Sequence, residues 1–152
     1  IDRVVRALNR GNVPVTGISD IDVLKGDDFE DIIRAMNPES ELDMLFRKRR
    51  KVDGKIRESN NGWSAVKSGG LSNAPPTVRD ELGDLLDEAR EYGLFVVPVG
   101  ELEDWFGIGK NKSASDKVVD ALEKIEDGTV DSGLIEFIED IDQYLSEEYS
   151  RL

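Results

Sequence analysis

The chain contains no cysteine and no histidine among its 152 residues. That double absence excludes disulfides, thiol nucleophiles, zinc sites of the usual kind and imidazole acid–base chemistry. Any catalysis must therefore rest on carboxylates, lysines, hydroxyls or a hard cation. Long apolar runs are missing too, and no stretch approaches the roughly 20 residues that span a bilayer. No secretory signal is visible, so the expected location is cytoplasmic and no membrane partner is expected. Position 1 is not methionine, and "IDRVVRALNR" reads as a helix in mid-course, the expectation being part of a longer polypeptide.

What is present suffices for one domain: 38% of the residues are hydrophobic, enough for a real core at this length. The net charge of −13 argues against a phosphate-binding surface, but its distribution is uneven. Residues 1–76 hold 13 basic against 12 acidic side chains, whereas residues 77–152 hold 7 against 21. The acid is concentrated in the second half.

Val4, Val5 and Leu8 repeat at helical spacing, and Gly11 with Asn12 stops that helix before the β-rich "VPVTGI". Phe29, Ile32, Ile33 and Met36 define the apolar face of a second helix from Asp28. Asn37-Pro38 marks a third helix start, with Leu42, Leu45 and Phe46 buried, and this helix runs into "RKRRK". Residues 52–76 are rich in turn formers and read as mostly loop, with a short helix around Trp63 and Val66. "TVRDELGDLLDEAREYG" is the clearest helix, with Thr77 and Asp80 as an expected reciprocal cap and Gly93 as its stop. The strand "LFVVPV" follows, and helices are expected near 115–126 and 132–149. Two strands that each follow a helix give the rhythm of a parallel α/β sheet.

Both strands end in acid. Asp20 and Asp22 project to one side if the extended conformation persists through them. Glu101 and Glu103 lie just past the second strand, with Gly100 allowing a turn. Parallel α/β folds place their sites beyond the carboxyl ends of strands, so four carboxylates would share one edge of the sheet. Such a group repels itself, and a divalent cation relieves the repulsion; oxygen-only ligands point to Mg2+ or Mn2+. The plainer readings are a turn or helix cap for Asp22 and Asp27, and a first helical turn for Glu101 and Glu103. Asp27 and Asp28 belong to the plainer reading outright.

"VVRALNRGNVPVTGISDIDVL", residues 4–24, followed by "REYGLFVVPVGELEDWF", residues 90–106, resembles the Toprim-type domain at the carboxyl end of OLD-family (overcoming lysogenization defect), ATP-dependent endonuclease-like proteins. The resemblance implies a Toprim-like parallel sheet with a helical insertion and carboxyl-terminal helices. It divides the chain into a part with the D-x-D strand (1–36), a helical insertion and loop with the basic cluster (37–76), and a second Toprim-like part (77–152). It further implies an ATP-binding ABC-type domain amino-terminal to this one and divalent-metal-dependent cleavage of DNA. Asp20 and Asp22 match the family's D-x-D as metal ligands, while Glu101 and Glu103 match its G-E-L-E block as catalytic candidates, Glu103 also as a ligand. A Toprim site needs a further glutamate on a first strand, which is expected upstream of Ile1, so the sheet here is incomplete and this part alone is expected to lack activity. The family's lysine corresponds to Lys110 or Lys112 in "GIGKNKS", where it could neutralise phosphate charge.

Arg47, Lys48, Arg49, Arg50 and Lys51 form the one dense cationic cluster. As a functional feature it would contact DNA phosphates; as a plain one it is a solvated helix end. Trp63 and Trp105 read as core or interface residues rather than base-stacking platforms. Two alternatives remain beside the nuclease. One is a non-catalytic interaction or dimerisation domain of an ABC-type ATPase, which allows a homodimer. The other is a haloacid-dehalogenase-like phosphatase, whose D-x-D prefers Thr or Val where this chain has Leu24.

Overall fold

In a computed structural model, residues 5, 7–8, 11, 13–38, 40–109 and 111–151 are described. The apolar run before Asp20 contributes only a short strand, β1 (Gly17–Ser19), paired in parallel with β2 (Leu94–Val96), Gly17 opposite Leu94 and Ser19 opposite Val96. Val13 to Thr16 precede the ladder, and the Thr16 hydroxyl donates to the Gly93 carbonyl at 2.9 Å. Around this pair stand α1 (Asp28–Met36), α2 (Asp43–Glu58), α3 (Gly62–Gly69), α4 (Arg79–Glu91), the short α5 (Leu102–Phe106), α6 (Ala114–Glu126) and α7 (Ser132–Ser150). Two 3-10 turns, Ile21–Lys25 and Gly70–Asn73, link β1 to α1 and α3 to α4. The protein is thus mixed α/β, mostly helical, with a two-stranded parallel sheet. Among the described residues, no helix is long and apolar enough to cross a membrane.

Alternation along β2 sends its side chains to two apolar clusters. Leu94 and Val96 join Ile21, Leu24, Phe29, Ile33, Phe46, Val52, Ile56, Val66, Leu82 and Leu85. Phe95 and Val97 join Trp105, Leu134 and Phe137, with Phe95 edge-on to Phe137 at 6.0 Å and Trp105 4.9 Å from Phe137. The segment expected as an insertion, 37–76, therefore packs in the same core as the sheet. Trp63 and Trp105 are both buried, and the Trp63 indole N–H donates to Asp53 at 2.7 Å.

Several local expectations need correction. Asn37 does not open a helix; its side-chain amide donates to the Ile33 and Tyr92 carbonyls, tying the end of α1 to the end of α4. The next helix starts at Asp43 and continues to Glu58, because Val52 and Ile56 extend the apolar face of Leu45 and Phe46. "RKRRK" is consequently mid-helix rather than a helix end. The Thr77–Asp80 cap is absent: α4 starts at Arg79, the Pro75 carbonyl accepts from the Val78 and Arg79 amides, and the Arg79 guanidinium donates to the Ser72 and Ala74 carbonyls.

One close backbone approach fixes the loop after β2. The Leu71 amide donates to the Pro98 carbonyl at 2.8 Å, and a Cβ on Gly70 would stand 1.8 Å from that carbonyl oxygen. Gly100 mirrors it, since a Cβ there would stand 2.4 Å from the Lys67 carbonyl oxygen. Both glycines also have positive φ, 58° and 114°, which suits only residues without Cβ. Gly70→Ala should cost at least ~3 kcal/mol in urea unfolding. Gly54→Ala, in open space on α2, should instead stabilise by about 0.5–1 kcal/mol.

Candidate site at the strand exits

Beyond the ladder the two chains stay zipped: the Val97 amide donates to the Ser19 carbonyl at 2.8 Å and the Ile21 amide to the Gly100 carbonyl at 3.0 Å. This sets Asp20 beside the start of α5, where its Oδ1 accepts from the Leu102 amide at 3.1 Å. Extended backbone ends at Asp20 (φ −63°, ψ 157°) and Asp22 lies within the 3-10 turn. Burying Ile21, Val23 and Leu24 requires that turn, so the two aspartates do not share a strand face as expected. Glu101 sits at the start of α5 and Glu103 in its first turn, and Asp104 accepts from the Glu101 amide at 3.0 Å.

All four carboxylates are nonetheless brought near one another. Burial raises the Asp20 carboxyl above the usual aspartate range; the Leu102 N–H pulls it down, and the charges of Glu103, Glu101 and Asp22 push it up further. Two lysines enter the cluster. Lys67, near the end of α3, lies 2.8 Å from Asp22 and 3.3 Å from Glu101, and these two hydrogen bonds raise its ammonium above the ordinary lysine value. Lys117 on α6 lies 2.6 Å from Glu103. The edge opens into a cavity of about 380 Å3 that Asp20, Glu103 and Lys117 share with apolar walls from Leu102, Phe106, Ile108 and Val118.

Neither lysine was singled out from sequence, since their partners lie 45 and 14 residues away and leave no local signature. Of the two that were, Lys110 lies outside the described residues. Lys112 pairs with the Asp120 carboxylate and is exposed, so it stands apart from the four carboxylates. The donor set, oxygen throughout, has the chemistry a hard cation wants. Yet among the described residues no three carboxylates are gathered closely enough to hold a metal ion.

The basic cluster is largely neutralised within the chain. Arg49 is buried, its guanidinium on Glu30 and within 4.0 Å of Asp53; Arg50 shares Glu30 at 2.9 Å. Lys48 pairs with Glu88 at 2.7 Å, and Lys51 with Glu81 at 3.3 Å. Arg47 is exposed and makes no ion pair with a described residue.

Compared with protein-family models, with curated proteins and with solved structures, the chain finds no match.

Because the folded state raises the Asp20 carboxyl, it holds that proton more tightly than the unfolded chain does. The Asp20 charge therefore costs stability at neutral pH, and the cost disappears as pH falls through the raised value toward the ordinary aspartate range. Asp20→Asn keeps an acceptor for the Leu102 amide and removes the charge. Its melting temperature should exceed that of the parent at pH 7, and the gain should shrink on acidification; an equal loss at both pH values would mark Asp20 as a cap and nothing more.

Proposed function

We propose that this chain is the Toprim-like portion of a divalent-metal-dependent DNA endonuclease linked to an ATPase domain. The carrying observation is the joint exit of two parallel strands, where Asp20 feels the charges of Asp22, Glu101 and Glu103 at once. Asp20, Asp22 and Glu103, not gathered closely enough to hold an ion as they stand, would draw together around Mg2+ or Mn2+ with a glutamate from a proposed upstream strand that completes the ligand set. When bound, the ion would activate water and stabilise the charge that develops on a phosphodiester. The chain's own residues prepare for this exchange. Lys67 and Lys117 hold positive charge against the carboxylates and can turn to phosphate oxygens when a cation takes their place. Glu101, bound to Lys67, would orient water.

DNA is the proposed partner, and the cluster Arg47–Lys51 the proposed backbone contact, with the carboxylates of Glu30, Glu81 and Glu88 exchanged for phosphates. Arg49 is excepted, because its guanidinium is committed to the core.

Calorimetric titration of Mn2+ tests the site, with the upstream strand restored so that the ligand set is complete. Binding heat should vanish in the Asp20→Ala, Asp22→Ala double variant, as should cleavage of plasmid DNA by the full-length protein. Survival of both in the double variant would refute the assignment. The DNA contact is tested separately by salt titration. Replacing Arg47, Arg50 and Lys51 by alanine should reduce the slope of log K against log salt by about 2–3, whereas Arg49→Ala should cost about 3–5 kcal/mol of stability. An unchanged slope would remove this helix from the DNA interface.

A further inference from the structure

The second apolar cluster is only half covered. Between α6 and α7 a groove of about 500 Å3 is floored by Ile18 of β1 and walled by Leu102, Phe106, Ile125, Ile135 and Ile138. Four of these are large side chains more than half exposed: Ile18 at 56%, Ile125 at 53%, Ile135 at 51% and Ile138 at 54%. The apolar surface continues along α6 through Val118, Val119 and Leu122, all exposed, and α6 buries no residue at all. Isolated exposed apolar side chains are ordinary; a contiguous concave set on two helices and a strand marks a binding surface.

The charge around it selects the occupant. α7 carries six carboxylates and no basic residue in "SGLIEFIEDIDQYLSEEYS". Glu139 and Asp142, both exposed, follow Ile135 and Ile138 by one turn and so flank the groove at its rim. Glu126 and Asp127 adjoin Ile125 at the end of α6. A second copy of this chain would bring carboxylates against carboxylates, so self-association here is opposed. The chain's own strongly basic helix, α2, is already packed and its cations other than Arg47 are paired. Shape selects further. The exposed residues recur at helical spacing along two helices, whereas the free edge of β1 offers an added strand little more than the N–H and C=O of Ile18, since Gly17 and Ser19 bond to β2.

We propose that this groove receives a basic amphipathic helix of another polypeptide, its apolar stripe on Ile18, Leu102, Phe106, Ile135 and Ile138, and its lysines or arginines on Glu139, Asp142, Glu126 and Asp127. This is the helix-in-groove mode, with the apolar stripe supplying affinity and the flanking charges supplying choice of partner. It stands independently of the metal-site reading.

The probe is a pair of synthetic 18-residue helical peptides with the same leucine stripe, one flanked by lysines and one by glutamates. Each is titrated calorimetrically into this chain, with amide NMR mapping of the bound face. The lysine peptide should bind at least tenfold more tightly than the glutamate peptide and shift the signals of α6 and α7. Its affinity should fall at least tenfold in Ile135→Asp with Ile138→Asp, and also in Glu139→Lys with Asp142→Lys. These positions are exposed, so the variants should retain the parent's circular dichroism. Equal binding of the two peptides, no binding by either, or binding undiminished in both double variants would overturn the proposal. So would shifts confined to the β1 edge, which would indicate strand addition, or a dimer of the free chain that both double variants dissociate.

Discussion

The geometry depends first on the contact between the loop after β2 and the backbone around Gly70. Three-residue strands in parallel contribute few hydrogen bonds, and such a pair does not hold its register unaided. The register is held from outside, by the Leu71 amide on the Pro98 carbonyl, by the Ile21 amide on the Gly100 carbonyl, and by two glycines that let main chains pass closely. The same crossing delivers Lys67 to Asp22 and Glu101. Stability and site geometry thus share one device, and neither strand exit could be moved without the other.

Electrostatics divide the molecule into three treatments of charge. At the strand exits, like charges are forced together and answered by two lysines and an α5 amide. On α2, cations that look like a free patch in sequence are matched by Glu30, Glu81 and Glu88. On α7, six carboxylates have two cationic partners among the described residues, Arg90 on Asp140, which ties this helix to α4, and Arg151 on Glu148. The first arrangement is the one on which the proposed metal site rests. The third leaves acid beside an uncovered apolar groove.

Much of the fold was legible because its signals are local. The parallel pairing followed from two apolar runs each preceded by a helical sequence pattern, and the approximate bounds of α6 and α7 from the expected helices near 115–126 and 132–149; their caps, Ser113 and Asp131, are findings of the structure. What escaped was decided at a distance. The length of α2 was hidden because five cations interrupt its apolar face, and nothing near Arg49 in sequence announces that Glu30 draws it inward. Asp22 was expected to share a strand face with Asp20 if the extended conformation persisted, with a turn as the plainer reading; the structure has the turn, which buries Ile21, Val23 and Leu24 together. The convergence of Asp20 with Glu101 and Glu103 was readable from the two acidic strand ends, whereas Lys67 and Lys117 reach it only through tertiary packing.

The central claim is that Asp20 is an electrostatically strained carboxylate awaiting a cation. A carbon-detected NMR titration of the Asp20 carboxyl, with and without Mg2+, tests it most directly. The account predicts a titration above the usual aspartate range that moves down when Mg2+ is added. An ordinary titration unmoved by Mg2+ would contradict it.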